Sequence, residues 1–166
     1  VLFANCIGPR PLPDDHEALT PTLYTLPSAV RPLVAGNEGY GTTLLEQSVE
    51  RGDEGAPFLI VIPKDGRAGL SLDEATAANV AAMRSALDRL EVGTVLAVDL
   101  GGDSLTGGVD FEGGSAEFGR DRQVLHALSA SGRPFTQLVL GPGCDGESSV
   151  GDMQAAVRDM DASGRL

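Results

Sequence analysis

Two short segments of this 166-residue chain gather carboxylates, a hydroxyl and glycines closely enough to do chemistry. The first, VDLGGDS, carries Asp99, Gly101, Gly102, Asp103 and Ser104, and Asp110 follows it. The second, GPGCDGES, carries Gly141, Gly143, Cys144, Asp145 and Glu147. Two carboxylates about 5 Å apart repel by about 3 kcal/mol at an effective dielectric near 20. A set of them brought to one place therefore needs a cation, an arginine or a shared proton. Mg2+ or another divalent cation takes oxygen ligands of this kind, and a phosphorylated substrate can complete its shell. On that reading Asp103 and Asp145 are the catalytic pair that positions the cation, with Asp99 and Glu147 as further metal ligands. Gly101, Gly102, Gly141 and Gly143 would bring backbone N–H groups close to the ligand, and Ser104 would add a hydroxyl. The plainer reading is that the glycines form tight turns while Asp and Ser cap helices. Neither a G-x-G-x-x-G nor a Walker A pattern is present to decide between them.

Other reactive types are sparser. Cys144 precedes Asp145, and with His126 it could form a nucleophile–base pair. Against that pairing, His126 sits beside Leu125 near a helix end, where a packing role is commoner. Arg120 and Arg122 flank Asp121 and could meet the acidic loop or a substrate carboxylate or phosphate, although surface ion pairing is the simpler expectation. His16 reads as an exposed loop residue. Asn5, Arg10, Tyr40 and Glu46 lie in polar segments near expected strand ends and are weaker candidates.

The elements that must position these residues alternate. VLFANCI reads as a short strand ending at Gly8-Pro9, and the proline-rich stretch from Arg10 to Asn37 is expected to run largely extended. A short helix is expected from Gly41 to Gly52. PFLIVIP is an apolar, β-branched strand between prolines. Ser71 and Glu74 form a capping signal for a helix whose stripe is Ala77, Val80, Ala81, Leu87 and Leu90. TVLAVDL is the next strand and leads into the first acidic loop. A helix over Gly119–Ser131, with Val124, Leu125 and Leu128 on one face, then precedes the strand FTQLVL and the second acidic loop. Val150 to Met160 closes the chain as a helix. Alternation at these lengths argues for an α/β fold, a parallel sheet with helices on both faces. Ligands of such sheets bind outside the carboxyl ends of the strands, so both acidic loops should open on one edge.

Composition narrows the partners. The net charge is −12, and Lys64 is the single lysine. So acidic a chain has no general footprint for nucleic acid or for an anionic membrane. No stretch approaches the roughly 20 apolar residues of a membrane span, and no signal segment opens the chain. Cys6 and Cys144 match no zinc spacing, which leaves a reducing cytoplasm as the simplest compartment. The expected partner is a small-molecule ligand, and assembly into homo-oligomers is compatible with the sequence.

VDLGGDSLTGG, the acidic stretch running into RDRQVLHAL, and GPGCDGE together resemble domain-of-unknown-function family 1152, and IGPRP is similar to that family's first loop. The likeness spans nearly the whole chain. It implies a Rossmann-like α/β fold and no assigned activity. It also implies an opening strand and a glycine-rich loop ending in Asp, which these residues lack, so residues 1–166 would be one α/β domain that is an incomplete portion of a larger one. The leading expectation is an enzyme acting on a phosphorylated or nucleotide-like small molecule with a divalent cation. The alternative is a non-catalytic metabolite-binding or assembly module.

Overall fold

The computed structural model describes residues 2, 4–8, 17–25, 58–64, 72–106, 119–144 and 146–164. The helix expected from Gly41 to Gly52 and the cap at Ser71 lie outside these residues. The chain is mixed α/β, with strands β1 (Ala4–Ile7), β2 (Glu17–Thr20), β3 (Leu23–Thr25), β4 (Phe58–Val61), β5 (Val95–Leu100) and β6 (Phe135–Leu140). The helices are α1 (Leu72–Arg89), the single turn α2 (Asp103–Thr106), α3 (Arg120–Ser131) and α4 (Val150–Ala162).

Among the described residues the strands form two sheets, where the sequence predicts one parallel sheet. In the first, of order β1-β4-β3-β2, β4 is parallel to β1 with Ile7 opposite Val61 and antiparallel to β3. Within the proline-rich stretch, the extended residues 17–20 and 23–25 pair as the hairpin β2–β3, a reversal that the sequence does not predict. Pro21 presets a turn, the Thr20 hydroxyl accepts from Thr22 N–H at 3.2 Å, and the chain reverses so that Leu23 is fully buried. The second sheet pairs β5 and β6 in parallel, with Val95 opposite Phe135 and Leu100 opposite Leu140.

One layer of helices covers one face of both sheets. From α1 and α3, Met83, Ala86, Leu87, Ala127 and Leu128 join Leu23 and Ile60 in the core, and Val95, Ala97 and Phe135 pack around it. Asp73 and Glu74 in the first turn of α1 and Arg89 in its last complement the helix dipole. Gly132 ends α3 with φ of 79°, a left-handed cap that suits glycine.

The buried face of α1 differs from the expected stripe. Ala75, Asn79, Ala82, Met83, Ala86 and Leu87 point inward, whereas Ala77 and Ala81 are exposed. Alanine occupies so many positions of this helix that it sets no phase, and the bulky Met83 and Leu87 decide which side turns in. On α3, Gln123 is buried instead of Leu125. Among the described residues, helices cover only one face of β5–β6. Leu96, Val98 and Leu100 of β5 are 61%, 53% and 62% exposed, and Leu138 and Leu140 of β6 lie beside them.

Gly102, just after β5, shows why this junction requires glycine. Its φ is +87°, and a Cβ there would lie 2.3 Å from Met153 Cε and 2.8 Å from Val139 Cγ1. The methionine tip can swing aside, but the branched Val139 on β6 cannot. Gly102→Ala should therefore lose about 2–3 kcal/mol from backbone strain and overpacking together. Urea denaturation checks this, and an unchanged midpoint would contradict the packing described.

Candidate functional site

The parallel register of β5 and β6 carries both acidic loops to one edge, as the strand pattern implied. Gly101 N–H donates to Leu140 O at 3.0 Å and Gly143 N–H donates to Gly101 O at 2.7 Å, so the loops are bonded to each other. The Thr106 and Ser148 hydroxyls join them again farther out.

Three carboxylates converge there. Asp99 at the end of β5, Asp103 at the start of α2 and Asp121 in the first turn of α3 each offer an oxygen within 4.8 Å of the others. Asp99 is held from two sides. Its Oδ1 accepts from Gly102 N–H at 3.3 Å, and its Oδ2 accepts from the Ser104 hydroxyl. Gln137 Nε2 on β6 in turn donates to Ser104 Oγ at 2.6 Å, which orients the hydroxyl proton towards Asp99. Asp121 pairs with Arg120 at 3.4 Å, and the partial positive charge at the start of α3 favours it further.

Asp103 bears the cost of this crowding. Its carboxyl is pushed up to about 7, first by loss of solvent, then by the charge of Asp121 and a hydrogen bond to it, and then by the charges of Asp99 and Glu147. Asp103 thus keeps its proton near neutrality, one of the three ways in which close carboxylates coexist. The reach of Glu147 brings the second loop into the same field. The Cys6 thiol on β1 is pushed up to about 12, chiefly by burial, with Arg120 lowering it and Asp121 raising it. The charges of the first turn of α3 are thus felt at Cys6 on β1.

Three of the four glycines expected to cradle a phosphate have their N–H groups engaged within the protein. Gly101 and Gly143 donate their N–H groups within the loops, and Gly102 donates to Asp99. Their work is turn formation and close approach. Ser104 is buried and bonded to Asp99.

Cys144 is exposed, with its sulfur 2.9 Å from where a Cβ on Gly141 would sit. His126 is exposed on α3, so the expected packing role does not hold, and among the described residues no hydrogen bond joins it to Cys144. Arg122 donates to Leu105 O at 2.8 Å, while its buried Nε has no partner among the described residues. Asp145, Asp110, His16, Arg10, Tyr40 and Glu46 lie outside the described residues, and Asn5 is described in its backbone alone.

Sequence reasoning missed Asp121 as a member of the cluster because its flanking arginines read as its partners. It also missed Gln137. The available signal was a lone polar residue at an inward position of the otherwise apolar strand end FTQLVL. The chain matches no protein-family model, no curated protein sequence and no solved structure.

A raised carboxyl binds its proton in the folded state at pH values where the unfolded chain has released it. Asp103 therefore contributes stability fully below its ordinary value of 3.8, and the contribution is lost as pH rises through about 7. Asp103→Asn stays uncharged throughout. The variant should match the wild type near pH 4 and exceed it at pH 8 by on the order of 1 kcal/mol, after allowance for solvent screening of a half-buried group. Urea titrations at both pH values test this. Equal stabilities at pH 8 would mean that the three carboxylates do not repel as described.

Proposed function

We propose that this chain is an α/β enzyme that binds a divalent cation through Asp99, Asp103 and Asp121, with Glu147 and Asp145 of the second loop in support. Its substrate is a phosphorylated or nucleotide-like small molecule. The observation that carries this reading is the approach of three carboxylate oxygens to within 4.8 Å of one another at the carboxyl edge of parallel strands. Hard oxygen donors in this number suit Mg2+, Mn2+ or Ca2+. Such a cation supplies Lewis acidity for hydrolysis or group transfer at a phosphoryl or carbonyl oxygen. The protein's own part is orientation: Gln137 aligns Ser104, Ser104 and Gly102 fix Asp99, and Arg120 steadies Asp121.

In this reading β5, β6 and the helices that follow them form part of a Rossmann-like sheet, in keeping with the resemblance to domain-of-unknown-function family 1152. Free Cys6 and Cys144 fit a reducing cytoplasm. No helix among the described residues is long and apolar enough to cross a membrane. A non-catalytic metabolite-binding or assembly module is the second reading. It is favoured by the internal commitment of the Gly101, Gly102 and Gly143 N–H groups, which leaves fewer backbone donors for a transition state.

Thermal unfolding in chelator and then in excess Mg2+, Mn2+ or Ca2+ tests the cation. Binding to the folded state alone stabilises by about 2.7 kcal/mol at a hundredfold excess over Kd. The rise in Tm should be larger at pH 8 than at pH 6, because the cation must displace the proton held by Asp103. Asp121→Asn and Asp103→Asn should each abolish it. A wild-type protein indifferent to all three cations at pH 8 would refute the metal reading.

A further inference from the structure

Arg122 stands in the first turn of α3, one position after Asp121, and its guanidinium reaches across to α2. There Nη2 donates to Leu105 O at 2.8 Å, and Leu105 follows Asp103 by two positions. The side chain therefore bridges the two turns whose carboxylates, Asp103 and Asp121, converge. Long side chains of a helix lean towards its N-terminus, which carries this guanidinium back towards the start of α3. That start is capped by Gly119, which has no side chain to accept from the first-turn N–H groups. Uncapped N–H groups at such a position suit an anion.

The guanidinium is held in place but not neutralised. Its one bond among the described residues is to an uncharged carbonyl, and its Nε is sealed from water without an acceptor. No carboxylate among the described residues pairs with it, and the adjacent Asp121 is paired with Arg120 instead. Nor is Arg122 among the charges that act on Asp103, so it stands back from the carboxylates. Taking a guanidinium partly out of water without a countercharge is unfavourable, and an anion that supplied the charge would relieve it. The planar fork of arginine matches phosphate oxygens in particular.

We infer that Arg122 binds a phosphate group of the substrate at the start of α3, beside the three carboxylates. The proposal rests on the reading of this edge as a phosphosubstrate site, but it does not require the cation. A cation on Asp99, Asp103 and Asp121 would strengthen phosphate binding by offsetting their repulsion. Amide NMR spectra of the full chain, titrated with inorganic phosphate with and without excess Mg2+, test it in the wild type and in Arg122→Gln. In the wild type, phosphate should shift the N–H signals of Arg120, Asp121 and Arg122 and the Nε–H signal of Arg122, and the shifts should saturate. Arg122→Gln can still donate to the Leu105 carbonyl but carries no charge. It should bind phosphate roughly tenfold or more weakly, the worth of one charge-assisted contact, while the Mg2+-dependent rise in Tm is unchanged. The wild-type spectra decide the matter if Arg122→Gln does not fold. A wild type with no saturable shift at the start of α3, or a folded Arg122→Gln protein that binds phosphate equally well, would overturn the assignment. So would a folded Arg122→Gln protein that loses the Mg2+ response together with phosphate, since Arg122 would then be a strut between α2 and α3. Phosphate binding that depends on Arg122 in a wild type blind to Mg2+ would remove the cation reading and keep this one.

Discussion

The parallel pairing of β5 with β6 is the constraint on which the site depends. In-register parallel strands deliver their carboxyl ends to one place, and whatever follows must share that place. Here two acidic loops follow, bonded to each other through Gly101 and Gly143. Their closeness has two consequences of opposite sign. Gly102 must lack a side chain so that Met153 and Val139 can close over it. Asp99, Asp103 and Asp121 must then be held together against their own repulsion. Hydrogen bonds to Asp99, an arginine beside Asp121 and a proton on Asp103 divide that task.

Polar groups inside the molecule follow the same logic. Asn79, Ser104 and Gln123 are the buried polar residues among those described: Ser104 is bonded to Asp99 and Gln137, and Asn79 to Lys64 and Gln123. Burying an amide is tolerable when its bonds are made and costly when they are not. A ladder of this kind therefore acts as a positioning device: movement of α1 relative to α3 would break bonds that water cannot replace.

Much of the architecture was legible in the sequence. FLIV between prolines, VLAVDL and FTQLVL appear as strands, and the helix ending at Gly132 is bounded as its glycines implied. The shared edge of the two acidic loops followed from strand order alone. What escaped had physical reasons. The hairpin over Glu17–Thr25 is a tertiary outcome, since β3 gains its stability by pairing with β4 and β2 by pairing with β3. The phase of α1 was hidden by alanine, whose small side chain fits either face. Asp121 looked locally satisfied by its arginines, and only the packing of α3 against the loop brings it to Asp99 and Asp103. The sequence marks the glycines as possible donors to a ligand, but whether an N–H is free depends on the fold around it.

The outer side of β5–β6 gives the net charge of −12 a second meaning. Leu96, Val98, Leu100, Leu138 and Leu140 form an uncharged, water-facing strip among the described residues. In dilute salt, like-charged molecules keep such strips apart over about a Debye length, near 10 Å at 0.1 M ionic strength. As salt rises or carboxylates are neutralised, that separation shrinks while the attraction between aliphatic surfaces remains. Colloidal behaviour is thus tied to the same acidity that governs the site, and solubility should be most sensitive to pH where the carboxylates begin to take up protons.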